Sequence, residues 1–429
     1  MINFVFENIK DDLQLNFVDC PDINPSGIPR FRASPLAIEL HQHQNKNKNK
    51  KFKINFLEKI PETEKYIIAS GVATSPDFWT GKFDKTPSKK SVFGWLNDRY
   101  RADLKSKKAF LMLDQSHEGY HETWLWEWFH DECNKHYIPP AQIIYVTGNL
   151  KSKEQYDEWI KNKNIKEQIK IIPYTHFEIA MSILMNNNLP SVKDHIRYKK
   201  TNKEKIKSYN CLQKRPRNHR AWLFHELYDK NLIDLGINSM NLFQKNHSYM
   251  EGKAIETDNY KKLINHLPLL PPSDNNIQGF SSGDCGEYLT AFNEQIMLDT
   301  WFSIVSEASF GDSSNTCFLS EKTFKPIACE HPFIIYGDKN SLTYLRTMGY
   351  KTFHPFINES YDNLPTWERV EAIVNEIRRL SLLSYKEKIT WYKNISPILI
   401  HNKKILSQRQ FKHFSNINNI KKLSEWINV

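Results

Sequence analysis

Along the chain, short runs of β-branched and aliphatic residues alternate with stretches whose apolar positions recur at helical spacing. Residues 66–70, 109–113, 143–147 and 169–173 read as strands. Between the second and third, Leu125, Trp128, Phe129 and Cys133 fall on one face of a helix expected over 121–135. Strand runs that are apolar on both faces suit a parallel sheet covered on both sides, and strands separated by helices imply βαβ units. This pattern fills the first half, to about residue 190.

A charged stretch poor in apolar residues, 193–207, breaks the alternation, which then resumes. Strands are expected at 208–212, 302–305, 332–336 and 351–353, with helices near 219–231, from Lys322, at 341–347 and at 366–383. In the last of these Val370, Ile373, Val374 and Ile377 share a face. The Pro-, Gly- and Ser-rich stretch 267–284 reads as a long loop over a site rather than framework. Two α/β halves joined by one linker are the expected organisation, and no internal repeat is present.

Composition narrows the class. The chain has 429 residues, 40% hydrophobic and 13% aromatic, enough apolar material for two or three cores. Its net charge of +10 lies largely in Lys/Asn-rich runs such as 45–53 and 198–207, which are more often solvated loops than binding surfaces. Six cysteines, at 20, 133, 211, 285, 317 and 329, form no CxxC and no regular spacing, as expected of reduced core thiols. The N-terminus has no basic, apolar leader, and no run approaches the ~18 apolar residues of a spanning helix. A cytoplasmic protein is expected, with contact to a membrane surface left open.

The richest stretch is 302–337, FSIVSEASFGDSSNTCFLSEKTFKPIACEHPFIIYG. It reads as a buried strand ending at Glu307, a polar loop, and a helix opened by Ser320, Glu321, Lys322 and Thr323. Ligands of open α/β sheets bind outside the carboxyl ends of the strands, where Glu307 and the 320–323 turn both lie. A helix start offers backbone N–H groups and a favourable dipole to phosphate, and Lys322 adds a point charge. Glu321 has the chemistry to accept from ribose hydroxyls. Pro326 is expected in the first turn, where its missing N–H costs nothing. A second basic cluster, CLQKRPRNHR at 211–220, follows a strand and opens a helix. Arg215 is the first choice for a phosphate fork there, with Arg217 and Lys214 behind it.

The 302–337 stretch resembles the donor-binding signature of alpha-1,3-fucosyltransferases, in which a strand ends in Glu-Asn and a loop leads to Thr-Glu-Lys, a short helix and a Val-Pro-Val strand. The counterparts here are Ser306-Glu307, Ser320-Glu321-Lys322 and Pro332-Phe333-Ile334, with Ala308 in place of the usual Asn and Lys325-Pro326 in place of ordinary helix residues. The stretch 339–364 is similar to the tail of this domain in glycosyltransferase-like proteins of bacteria and phages. The resemblance covers roughly the last half of the chain. It fits a GT-B fold, two Rossmann-like parallel-sheet domains facing a cleft; with the breaks in the alternation above, the expected bounds are an acceptor-side domain at 1–192, a linker at 193–207, a nucleotide-sugar-binding domain at 208–385 and C-terminal helices at 386–429. It implies Glu321 as ribose ligand, Lys322 as diphosphate ligand, Glu307 as a contact to the donor sugar, and an Arg early in the second domain on the diphosphate.

The expected activity is an inverting transfer of a sugar, fucose by the resemblance, from a nucleoside-diphosphate sugar to a glycan hydroxyl of a surface polysaccharide or lipopolysaccharide. A GDP-sugar is the favoured co-substrate and no further cofactor is expected. No Asp-x-Asp occurs, so Lys and Arg rather than a metal are expected to neutralise the diphosphate. The general base is sought in Asp114–Glu122, DQSHEGYHE, after the 109–113 strand: Glu118 first, with His121 and Asp114 as alternatives. Other readings remain open: a DNA-modifying glycosyltransferase, and a nucleic-acid-binding protein without enzymatic activity that uses 198–220 as a basic patch.

Overall fold

The computed structural model describes residues 2–5, 32–34, 36–37, 40, 52–55, 60, 64–72, 80, 91–119, 123–187, 207–213, 216–241, 248–269, 294–311, 315–416 and 423–427. The chain divides into two compact units, residues 1–176 with 409–429, and residues 177–408.

The first unit is built on a sheet of β1 (Ile2–Val5), β2 (Arg32–Ala33), β3 (Phe52–Asn55), β4 (Tyr66–Gly71), β5 (Ala109–Gln115), β6 (Ile143–Thr147) and β7 (Lys170–Pro173). Its order is β3-β1-β4-β5-β6-β7, all parallel, with β2 antiparallel on β4. Helices α1 (Val92–Trp95), α2 (Asp98–Lys105), α3 (Thr123–His136) and α4 (Ser152–Lys163) lie between the strands, and α5 (His176–Asn187) follows β7. Every residue of β4, β5 and β6 is buried, as the doubly apolar runs require. Helix starts and stops follow local chemistry. Asn97 caps α2 by accepting from the Tyr100 N–H at 2.8 Å, and α4 stops at Asn164 in the left-handed region.

The second unit carries a four-stranded parallel sheet of β8 (Lys207–Leu212), β9 (Gly236–Ser239), β12 (Thr300–Ser306) and β13 (Phe333–Tyr336), in the order β13-β12-β8-β9. A small hairpin, β10 (Tyr249–Met250) and β11 (Lys253–Ala254), lies outside it. Its helices are α6 (Asn218–Asp229), α7 (Thr257–Asn265), α8 (Glu294–Leu298), α9 (Glu321–Ala328), α10 (Ser341–Thr347), α11 (Thr366–Ser381) and the greater part of α12 (Tyr385–Asn416), whose residues from 409 on count with the first unit. The protein is therefore α/β, with two Rossmann-like parallel sheets. In the second sheet the winding reverses between β8 and β12: β9 lies to one side of β8, β12 and β13 to the other. That reversal is where open α/β sheets form their ligand crevice.

Two expectations need correction. The expected strand at 351–353 is not one: the Lys351 N–H and C=O are both bonded by the side-chain amide of Asn402 in α12, at 2.8 and 2.7 Å. Pro326 is the sixth residue of α9, one turn further in than expected, and removes the bond to the Lys322 carbonyl. By contacts the first compact unit ends at 176 and α5 from Phe177 packs within the second: the Phe177 ring meets Phe318 at 5.9 Å, and Tyr350 donates to Glu178 at 2.7 Å. The expected linker 193–207 lies outside the described residues but for Lys207, as does most of the loop 267–284. Cys133, Cys211, Cys317 and Cys329 are buried free thiols, and burial pushes those of Cys133 and Cys211 up to about 12.

Gly236 opens β9 against the face of Tyr209, and an added Cβ would meet that ring at 2.3 Å. The ring is fully buried and its hydroxyl is anchored to the Leu232 carbonyl at 2.9 Å, so it has nowhere to go. Gly236→Ala is expected to destabilise the protein by about 1–3 kcal/mol in urea unfolding.

Candidate functional site at the carboxyl edge of the second sheet

The site grows from the end of β12. This strand is buried throughout and delivers Glu307 to the edge of the sheet, where its N–H donates to the Tyr336 carbonyl at 2.9 Å. The Glu307 carboxylate is itself buried, 1% exposed. One oxygen accepts from the Ser320 N–H at 3.1 Å and the Thr323 hydroxyl at 2.6 Å, the other from the Ser320 hydroxyl at 2.5 Å. Ser320 is the N-cap of α9, accepting from the Lys322 N–H at 3.3 Å. A buried acid thus pins the start of α9 to the end of β12. Burial raises Glu307 above the usual carboxylate range, against the opposing pull of Lys322 and of the Ser320 and Thr323 hydrogen bonds.

Glu307 was expected to touch a donor sugar; in the structure its carboxylate bonds Ser320 and Thr323, at the start of the helix that carries Glu321 and Lys322. The backbone donors expected for phosphate are also engaged. The Lys322 N–H bonds the Ser320 hydroxyl, the Thr323 N–H bonds the Ser320 carbonyl at 3.1 Å, and the Glu321 carboxylate takes a backbone N–H of its own residue. The helix start therefore presents side-chain charge more than bare amides.

That charge is concentrated. Lys322 Nζ lies 2.6 Å from a Glu321 oxygen, with the two side chains 31% and 16% exposed. Burial pushes Glu321 up, but Lys322 and Lys325 together outweigh it and hold the carboxyl at about 2. Burial lowers Lys325, against the raising influence of Glu321.

The second basic segment reaches the same edge. Arg217, exposed, is the N-cap residue of α6, and its guanidinium donates to the Ala308 carbonyl. Arg220, buried, donates to the Glu307 and Ser306 carbonyls at 3.0 and 3.3 Å. Burial and Arg217 push Arg220 down to about 10, which leaves it charged at neutral pH. His219 Nε2 lies 3.1 Å from the Glu307 carbonyl, an acceptor only, so that nitrogen carries the hydrogen. Burial first, then Arg220, lowers His219 to about 3, and it is neutral.

The loop after β12 is stiffened by Phe310, which stacks on Tyr336 at 4.1 Å and receives the Arg369 guanidinium at 4.7 Å. Arg217, Arg220, Glu307, Ser320, Glu321 and Lys322 therefore gather where the winding of the sheet reverses, while Arg215 and Lys214 lie outside the described residues. Sequence reasoning passed over Arg220, although a charge on the face of α6 shared by Ala221, Leu223, Phe224 and Leu227 was a usable signal.

On the first sheet, Glu118 sits half-buried in the turn after β5. Its N–H donates to the Gln115 carbonyl and its own carbonyl accepts from Gly148, both at 3.0 Å. Asp114 is fully buried and accepts from the Ser34 hydroxyl at 2.6 Å, the Leu36 N–H at 2.9 Å and the Ser116 N–H at 3.0 Å. His121 lies outside the described residues. No helix among the described residues is long and apolar enough to cross a membrane.

No protein-family profile and no curated protein matches the sequence. Among solved structures, the chain is similar to an Escherichia coli structure titled trehalose-6-phosphate bound with UDP-2-fluoro glucose, at 8% identity and TM-score 0.41, covering 100% of this chain and 99% of that one. It is also similar to a Neisseria meningitidis UDP-GlcNAc 2-epimerase bound to UDP-GlcNAc, at 9% identity and TM-score 0.36, covering 96% and 99%. Likenesses this low assign neither family nor activity.

Two outcomes are expected. Glu307→Ala removes the acceptor for one amide and two hydroxyls, and should cost about 2–4 kcal/mol in urea unfolding. Glu321, held at about 2 against an ordinary 4.5, favours the folded state above pH 4.5, and that contribution is lost as pH falls from 4.5 towards 2. The stability gap between wild type and Glu321→Gln, on the order of 2 kcal/mol at pH 7, should close across that window.

Proposed function

We propose that the chain is an inverting, metal-independent glycosyltransferase of GT-B type, which takes its sugar from a nucleoside-diphosphate donor held on the second unit. The observation that carries this reading is the cluster of Arg217, Arg220, Lys322 and Lys325 against Glu321 and the buried Glu307, at the winding reversal of a parallel sheet. In the proposal the diphosphate draws Lys322 away from Glu321, and Arg217 adds its fork. The freed Glu321 carboxylate then accepts from the ribose hydroxyls. Arg215, next to the Pro216 turn, is a further phosphate ligand by its place in the sequence. Ser320 and Glu307 position the helix.

Glu118, in the turn after β5 of the first unit, is the proposed general base. The acceptor oxygen gives its proton to a base, bonds to the anomeric carbon, and displaces the diphosphate, which leaves with the electron pair of the broken C–O bond. One displacement inverts the anomeric centre. The cations stabilise the charge that develops on the leaving oxygen. Fucose and a GDP-sugar are favoured by the resemblance at Ser306-Glu307 and Ser320-Glu321-Lys322. A nucleic-acid reading would need the 198–220 segment to act as a basic surface, but Arg220 is buried and bonded to carbonyls of its own unit.

Thermal melting with GDP-, UDP-, dTDP- and CMP-sugars tests the proposal, since a ligand that binds only the folded state raises the melting point. GDP-fucose is expected to give the largest rise. Lys322→Ala should weaken it by roughly 10- to 100-fold in Kd, the range for losing a hydrogen bond to a charged group. No rise with any of the four classes would overturn the reading.

A further inference from the structure

The amino end of the first sheet holds a lysine whose surroundings suit an uncharged amine better than a charged one. Lys170, half-buried, opens the edge strand β7 and lies in register with Ile144 of β6. Its Nζ donates to the carbonyl of Ala141, in the short turn (Pro140–Gln142) that precedes β6. Two aromatic rings close on the same nitrogen. It lies 5.1 Å from the ring centroid of Phe110 in β5 and 5.5 Å from that of Trp426. Trp426 belongs to a helical turn at 423–427, whose Leu423 and Ile427 are buried. That turn counts with the first unit, as Lys170 does.

Among the described residues no carboxylate pairs with Lys170. The ionisable groups on the elements around it lie elsewhere. Lys108, ahead of Phe110, is 3.7 Å from Asp103, while Lys166 and Glu167 before β7 and Glu425 beside Trp426 are exposed. The turn Pro140–Gln142 contributes none. One carbonyl and two ring faces return less to an ammonium than the water they displace, and no counter-charge makes up the difference. Burial accordingly lowers the amine from an ordinary 10.5 to about 8.

We propose that Lys170 is an acylation site that takes its acyl group from a small acyl phosphate, and that the modification removes the charge which clasps Trp426. The ammonium first gives a proton to solvent. The neutral amine then attacks the acyl carbon with its lone pair, forming the C–N bond. The C–O bond to phosphate breaks, its electron pair leaves on the phosphate, and the nitrogen releases a second proton to solvent. The amide product keeps one N–H for the Ala141 carbonyl but has no charge to offer the rings. The turn 423–427 then keeps its apolar contacts and loses the cation–π one. This step is independent of the glycosyltransferase reading and uses residues of the first unit alone.

The test incubates full-length protein with isotope-labelled acetyl phosphate between pH 6.5 and 9.5 and follows each lysine by peptide mass spectrometry. At pH 7.5 Lys170 should react roughly 10-fold faster than exposed Lys161. Its larger neutral fraction outweighs the weaker nucleophilicity of a weaker base. The Lys170 rate should level off above about pH 8, where an ordinary exposed amine continues to climb. Trp426→Ala rehydrates the nitrogen and should move that plateau upward, with Phe110→Leu as the second variant if the first does not fold. Hydrogen exchange at 423–427 should quicken in acetylated wild type and stay unchanged in Lys170→Arg given the same treatment. A Lys170 rate no faster than that of Lys161 at pH 7.5, or one that climbs in parallel with it, overturns the site. Exchange at 423–427 that is unmoved by full acetylation of Lys170 overturns the clasp.

Discussion

A single buried carboxylate sets the geometry of the second unit. Glu307 ends a central strand, and its two oxygens fix Ser320 and Thr323 at the start of α9. Its carbonyl is meanwhile gripped by Arg220 and His219 from α6. One residue therefore ties together two helix starts and a strand end. A buried acid is costly unless its lone pairs are satisfied, and here three donors from two residues satisfy them. The network also polarises along its length: the Lys322 amide donates to the Ser320 hydroxyl, which donates to Glu307. An apolar side chain in this position would leave the helix start without its anchor.

With the scaffold fixed in this way, the exposed charges have defined positions. Lys322 rests on Glu321 at the mouth of the site, an arrangement that keeps the lysine local and available to a stronger anion. Arg220 lies deeper and acts on main-chain carbonyls, so its charge contributes field rather than contact. The aromatic pair Phe310 and Tyr336, with Arg369 over the outer ring, stiffens the loop that follows Glu307. In the proposed reading these charges are held before a ligand arrives, which limits reorganisation when new charge develops.

Much of this was legible in the order of residues. β5, β6, β12 and β13 are rich in apolar residues, and the structure has them within one or two residues of the expected bounds. β9, Gly236-Ile-Asn-Ser239, was not seen, because a four-residue edge strand with only its last residue buried has neither an apolar run nor alternation. β1 and β3 were missed because each is only four residues long and carries polar residues within it, Asn3 in β1 and Lys53 and Asn55 in β3. The edge positions of Glu307 and Ser320–Lys322 followed from strand and helix limits. The direction of the Glu307 side chain did not, since a carboxylate at a strand end can face a ligand or the next helix with the same sequence around it. The occupied amides of the α9 start were equally hidden, because a serine cap and its partners only become visible in three dimensions. Lys170 and Trp426 are far apart in the chain, and nothing in their spacing announces a contact.

The most direct measurement is a crystal structure of the protein with GDP. The account predicts both phosphates at the start of α9, bonded by Lys322 Nζ and the Arg217 guanidinium, with the Lys322–Glu321 pair opened and Glu321 turned to the ribose. GDP bound elsewhere on the molecule, or bound here with Lys322 still paired to Glu321, would contradict it.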